Sequence, residues 1–306
     1  MNGLWSELAK KMAEKWFSLL VLPGAFYLAV TATALTLGHA HALDIGLLTR
    51  HITDYARNPA VTSTGGQVVV LAAILAAAAA VGFVAQSIGT FVERAVLAAE
   101  WQAWPIPVRF AARWSLARRQ RRWDSANADY LREYQNALTP DPASRPDPAL
   151  RHRAARARAR ISVERPERPT WSGDRIQATA IRLDRDHHLD LATVWPSLWL
   201  VLPDPVREQI TTARTALSRA TTLAAWSVLY LALTVWWWPA APLAVVIAAT
   251  AHHRIRATTD TYATLLENAT RLHTTTLATQ LGIDHTGPLG PHLGHALTRH
   301  LRSSTA

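Results

Sequence analysis

DPVREQITTARTALSRATTLAAWSVLYLALTVWWWP, residues 204–239, decides how the rest of the chain is read. Asp204 is an N-cap residue type, Pro205 suits the first helical position, and no breaker follows before Pro239. The pattern predicts one rod about 50 Å long at the usual helical rise. Its second part, Ala220–Trp238, carries no charge and is long enough to cross a bilayer. Trp236-Trp237-Trp238-Pro239 then places three indoles and a helix stop where amphipathic rings prefer to sit, at the far interface. Ala240–Ala251 returns through apolar residues, and His252, His253, Arg254 and Arg256 mark re-entry into a polar phase. Helical spacing resumes up to Gly282, a C-cap residue type. The return is short, about 18 Å of helix, so it draws on the 252–255 flank or on a thinned bilayer.

Working outward, the mean hydropathy of +0.03 hides a segregated pattern in which four stretches are almost uncharged. Cysteine is absent, which excludes disulfides, cysteine nucleophiles and thiolate metal sites. The only lysines are Lys10, Lys11 and Lys15, and the net charge is +10. Such a charge implies anionic neighbours, lipid headgroups or nucleic acid. Lipid is the simpler partner because basic residues crowd the ends of apolar segments.

Residues 1–93 read as an N-terminal membrane hairpin with spans at about 16–37 and 67–92. A rival reading takes the first run as a secretory signal with Ala40-His41-Ala42 as cleavage site. Pro23-Gly24 inside that run is either a functional kink or an irregularity that neighbours satisfy. Gly38–Gly66 reads as a polar loop. The second span is dense in alanine, and small residues let helices approach closely. Gly82, Gln86, Ser87 and Gly89 are therefore the candidate oligomer or pore residues. Gln86 and Ser87 either bond a neighbouring helix or line a water-filled path.

Residues 94–219 hold 22 arginines against two in residues 38–66. The positive-inside rule then puts both termini and the 94–219 region in the cytoplasm of a multi-pass inner-membrane protein. Within 94–138, Trp101, Trp104, Trp114 and Trp123 alternate with arginines, a pattern suited to the headgroup layer. Arg118, Arg119, Arg121 and Arg122 are the candidate headgroup ligands. The same interleaving suits single-stranded nucleic acid, as does the arginine-rich run 151–160. Residues 139–169 form a Pro- and Arg-rich linker, and 170–219 a cytoplasmic helical domain and stalk. Ser172 is expected to cap a helix striped by Ile176, Ala180 and Leu183.

Asp190 opens a short apolar helix in which Trp195 and Trp199 are one turn apart, too short to span and suited to packing on the stalk or lying in the interface. The stalk has stripes at Val206, Ile210, Ala213 and Leu217, and at Tyr262, Leu265, Ala269 and Leu272. Residues 220–256 make the C-terminal membrane hairpin and 257–306 the return stalk and tail. Trp195-Pro-x-Leu-Trp-Leu-x-Leu-Pro-Asp204, the Trp-Trp-Trp-Pro turn and Tyr-Ala-Thr-Leu-Leu-Glu267 resemble a group of uncharacterised multi-spanning membrane proteins of high-GC bacteria. The resemblance covers mainly residues 170–290 and implies no activity and no catalytic residues.

No P-loop, dinucleotide fingerprint, nucleophile elbow or zinc-protease helix occurs. Asp174, Asp184, Asp186 and Asp190 cluster in sequence with His187 and His188, and each has an arginine or a cap role that explains it. Histidines are frequent, but they lack the carboxylates of a metal site. No charge lies inside the four spans, which disfavours ion-coupled transport. The expectation is an all-α integral membrane protein: four transmembrane helices in two hairpins, with a helical cytoplasmic domain and stalk. It is expected to use no cofactor and to act without enzymatic chemistry, as a homo-oligomeric channel, pore or membrane-permeabilising effector. The alternative is a membrane-anchored scaffold whose cytoplasmic protein partner binds Trp195, Trp199 and the stalk residues Ile210, Leu217, Tyr262 and Leu265. Nucleic-acid binding is the weaker third reading.

Overall fold

The computed structural model of the chain describes Glu7 and residues 21–57, 63–138 and 147–303. Lys10, Lys11 and Lys15, the start of the first apolar run at Trp16, and the first part of the Pro- and Arg-rich linker, residues 139–146, lie outside the described residues. The fold is all-α: ten α-helices and no strand among the described residues. They are α1 (Leu22–Leu37), α2 (Ile45–Ala56), α3 (Thr64–Leu97), α4 (Ile106–Ala137), α5 (Pro148–Ile161), α6 (Trp171–His187), α7 (Leu191–Val201), α8 (Asp204–Leu233), α9 (Ala240–Gln280) and α10 (Pro291–Ser303). They divide into two compact units, residues 1–92 with 218–253, and residues 93–217 with 254–306.

In the first unit, α3 turns a stripe of small residues inward: Ala78, Gly82, Ala85 and Gly89. Two close approaches in this unit depend on a missing side chain. A Cβ on Gly24 of α1 would collide with the backbone carbonyl of Ala78, and one on Gly89 would lie 3.0 Å from the Cα of Thr222 in α8. Pro23-Gly24 therefore has a packing reason, since glycine lets two helix backbones meet. The large apolar side chains of α3 point the other way. Val68, Val69, Leu71, Phe83, Val84 and Phe91 are exposed, and only 17% of its most apolar stretch is buried. Among the described residues, α3 and α8 are long and apolar enough to cross a membrane.

The opposite end of this unit is tied by polar bonds. Tyr27 donates to the Leu229 carbonyl at 3.3 Å and meets Tyr230 edge to face at 5.3 Å. Trp237 Nε1 donates to the Ala42 carbonyl at 3.0 Å, and His39 Nε2 lies 2.9 Å from the Val235 carbonyl. Two expectations are corrected here. The rod does not reach Pro239; α8 ends at Leu233, and the amides of Thr234, Val235 and Trp236 bond three residues back as tight turns. β-Branched and aromatic residues are poor helix formers, and Thr234 turns its hydroxyl onto the Leu231 carbonyl, 2.6 Å away. The region 38–66 is not all loop: Asp44 accepts from the Leu47 amide at 2.8 Å and caps α2. Its apolar residues Ile45, Ile52 and Tyr55 fall on one arc and are exposed.

The second unit has its core where α7, α10 and the stalk parts of α8 and α9 meet. Leu189, Val194, Leu198 and Leu202 pack with Ile210, Leu277, Leu293, Leu297 and Leu301. Trp195 and Trp199, with ring centroids 5.9 Å apart, cover its rim together with Tyr262 and Leu265. The stalk stripe needs one correction, because Leu272 is exposed. The deepest face of α9 instead carries Thr259, Ala263, Leu266, Thr270 and Thr274. Thr270 donates back to the Leu266 carbonyl at 2.8 Å, and Thr274 bonds the Thr270 carbonyl, so these hydroxyls are buried without outside partners. α9 closes as expected at Gly282, whose φ is 69°: the Gly282 amide bonds the Thr279 carbonyl and the Ile283 amide the Ala278 carbonyl, a Schellman motif.

Candidate functional site: a buried arginine and carboxylate seam

α6 is built around a carboxylate that the sequence places in its first turn. Thr170, not Ser172, is the N-cap; its hydroxyl accepts from the Gly173 amide at 3.1 Å and donates to the Val96 carbonyl at 2.6 Å. Asp174 is 4% exposed. One of its oxygens accepts from the Glu167 and Arg168 amides at 2.9 and 2.7 Å, and the other is ion-paired with Arg119 of α4. Arg119 also donates to the Arg168 and Ile161 carbonyls, at 2.7 and 3.0 Å. Arg168 in turn donates to the Leu97 carbonyl at 3.1 Å and to Gln177 at 2.7 Å. The node thus satisfies the open carbonyls at the end of α3 and locks α4, α5 and α6 to one another. Burial raises the Asp174 carboxyl above its ordinary value, and Arg119 with the two amides pulls it partway back.

Beyond this node α6 lies alongside α9 with a polar seam. Arg175, itself buried, holds Asp260 at 2.6 Å and Thr264 at 2.9 Å. Thr179 lies 3.4 Å from the Ala263 carbonyl, and Arg182 pairs with Glu267 at 2.6 Å. Arg271 meets Glu267 at 3.1 Å and Asp186 at 3.5 Å. The pairs Arg175 with Asp260 and Arg182 with Glu267 are both 85 residues apart, and Asp186 with Arg271 keeps that separation. Constant separation means that the two helices run parallel in one register. Next to the seam, an open groove of about 710 Å³ runs between the stalk helices. Ala213, Ala216 and Ala257 line it together with Glu208, Thr212 and Thr261.

The carboxylates singled out in the sequence do not assemble with the histidines. Asp174 belongs to Arg119, and Asp186 to Arg185 and Arg271. Asp190 caps α7 and pairs with Arg302 at 2.8 Å. Both ring nitrogens of His187 are buried without a hydrogen bond, so no carboxylate orients that imidazole. No group of His, Asp and Glu among the described residues is arranged to hold a metal ion.

The other predicted residues divide. Gly82 is buried and Gly89 is buried against Thr222 of α8, whereas Gln86 and Ser87 are exposed. Ser87 bonds the Phe83 carbonyl of its own helix at 2.9 Å. Ile210 and Leu217 are buried, and Trp195, Trp199, Tyr262 and Leu265 are half-buried. Arg118, Arg121 and Arg122 are exposed. Arg119 is corrected: it points inward to Asp174 and is not a surface ligand. The seam residues Arg175, Arg182, Asp260, Glu267 and Arg271 were missed. Their only sequence signal is charge of opposite sign repeating at steps of seven and four in two distant helices.

Asp190 supplies a pH test. The hydrogen bond from Arg302 holds its carboxyl below the ordinary 3.8, although partial burial pushes the other way. A depressed folded-state pKa contributes stability above the unfolded value and loses it as pH falls through the folded one. Acidification below about pH 4 is therefore expected to loosen α10 first, read as faster amide exchange across residues 291–303 before residues 171–187 respond. Simultaneous loosening of both helices would refute it.

Comparison of the chain with protein-family models, with curated proteins and with solved structures finds no match.

Proposed function

We propose that the chain is a multi-pass protein of the cytoplasmic membrane, with four spans in two hairpins and both termini in the cytoplasm. The observation that carries this reading is the inverted packing of α3, with alanine and glycine inside and Val, Leu, Ile and Phe outside. A core helix of a soluble protein hides its large apolar residues, whereas a helix in lipid packs through small ones. α1 and the opening of α9 complete the hairpins: the bonds of Tyr27, His39 and Trp237 support the first, and the packing of Ala240 and Ala244 with Tyr230 and Leu233 supports the second.

Its action is non-enzymatic and oligomeric: copies assemble into a channel or permeabilising pore, gated by the helical unit that contains the seam. Gln86 supports this. Its side chain is exposed and has no hydrogen-bond partner among the described residues, whereas the exposed hydroxyls beside it, Ser87 and Thr90, bond back to carbonyls of their own helix. Its place is about 10 Å from the middle of the span. An amide left bare in lipid costs several kcal/mol, so a second copy or a water path is needed to satisfy it. Native mass spectrometry in nanodiscs is expected to give a defined multiple of 33.7 kDa. Gln86→Leu is expected to reduce ion flux from loaded liposomes by tenfold or more, since one lost amide is worth over 1.4 kcal/mol. A monomeric particle, or flux unchanged by the substitution, would sink the channel reading.

The groove beside the seam favours a second reading, a membrane-anchored scaffold that seats a helix of a cytoplasmic protein on small residues. Ala216→Trp would fill the groove. Loss of a stoichiometric partner in that variant, with a monomeric particle, would put the scaffold ahead.

A further inference from the structure

We infer that the outward face of the first half of α4 is a docking surface for the anionic headgroup layer of a bilayer. Ile106, Phe110 and Trp114 recur one turn apart and are 74%, 75% and 63% exposed. They form an uncovered apolar ridge. It cannot be turned inward, because the opposite face of the helix is already occupied. Ser115 donates to the Pro169 carbonyl, Gln120 to the Pro166 carbonyl and Trp123 Nε1 to the Ser162 carbonyl, all within 2.9–3.1 Å, and Arg119 is held by Asp174.

The charge beside the ridge has one sign. From Ile106 to Trp123 there is no Asp or Glu, and the acidic residues Asp124, Asp129 and Glu133 come only afterwards. Arg113, Arg121 and Arg122 are exposed and have no carboxylate partner among the described residues, and Arg118 lies over the Trp114 ring, 5.5 Å from its centroid. Apolar side chains that enter about 5–10 Å below the headgroups, flanked by guanidinium groups on phosphates, are the pattern of an interfacial helix. A single-stranded nucleic acid fits less well. It gains from aromatic faces and not from an isoleucine at the head of the ridge.

This inference rests on the membrane reading above, so the test separates the two. The chain has no cysteine, so one engineered cysteine can be spin-labelled alone. Ala111→Cys places the label on the exposed face beside Phe110, and Val69→Cys places it on the exposed side of α3. The full chain is put into nanodiscs of phosphatidylcholine with and without phosphatidylglycerol, and collision with oxygen is compared with collision with a water-soluble nickel chelate.

The expected result is oxygen-favoured collision at position 111 with phosphatidylglycerol present, and chelate-favoured collision without it. Replacing Arg113, Arg118, Arg121 and Arg122 by glutamine is expected to lower the docked-to-released ratio roughly 10³-fold, the equivalent of about 4 kcal/mol. A label at 111 that meets the chelate in both lipids, while the label at 69 is in hydrocarbon, overturns this inference alone. A label at 69 in water overturns the membrane reading itself. Protection of position 111 only on adding an oligonucleotide overturns the inference in favour of nucleic acid.

Discussion

Asp174→Ala is expected to destabilise the second unit by about 3–5 kcal/mol, because removing one partner of a buried pair leaves the other charge uncompensated. Here one guanidinium and two backbone amides lose their acceptor. Arg119 loses the carboxylate to which it is paired, and Arg168 loses the oxygen that orders its backbone next to the start of α6. The Glu167 amide loses its acceptor as well. For a unit of this size the loss corresponds to a fall of about 10 °C in the unfolding midpoint. Asp174→Asn is expected to fall between wild type and alanine, since an amide oxygen still accepts from both backbone amides but does not neutralise Arg119. Thermal unfolding in nanodiscs, followed by protection of residues 148–187 from protease, checks the order. Alanine equal to wild type would show that the node contributes no net stability.

The second large effect is expected at Gly294. A Cβ there would overlap the carbonyl oxygen of His187 and press on His188, so even alanine forces two backbones apart. Side-chain contacts can yield by rotation, but here the contact is with backbone at the end of α6, where His188 already has a φ of 52°. Overpacking of this kind costs about 1–3 kcal/mol and more when backbone is involved. What depends on the contact is the seating of α10, which brings Leu293, Leu297 and Leu301 into the core. Gly294→Val is therefore expected to detach α10, read as a rise of roughly 100-fold in amide exchange over residues 291–303, with a new protease site in residues 284–290. If exchange there stays at the wild-type rate, the close approach does not hold α10 in place.

What could be read from the sequence follows from which interactions are local. The end of α9 was legible because a Schellman motif needs one glycine at one place, and Gly282 is there. The stalk stripe of Tyr262, Leu265 and Ala269 was legible from spacing alone. The deepest face was not, because Thr270 and Thr274 look polar from their spacing alone and become buriable only once helical backbone accepts their protons. α2 carried its signal openly, Asp44 ahead of an apolar arc at Ile45, Ile52 and Tyr55, but the glycines and charges around it read as loop. Arg119 could not be told from its neighbours. Arg118, Arg119, Arg121 and Arg122 differ only in the direction their helix turns them, and what turns Arg119 inward is Asp174, 55 residues further on.

The parallel seam acts as a vernier scale with a single coincidence. Sliding α9 one turn along α6 in one direction would bring Arg271 opposite Arg182, and in the other would set Glu267 against Asp186 and Arg256 against Arg175. Each of these one-turn displacements sets like charges against each other. The charges of the seam therefore favour the observed register of α9 over a shift of one turn either way. Charge alone thus acts here as a key that fixes how far one helix is threaded along the other.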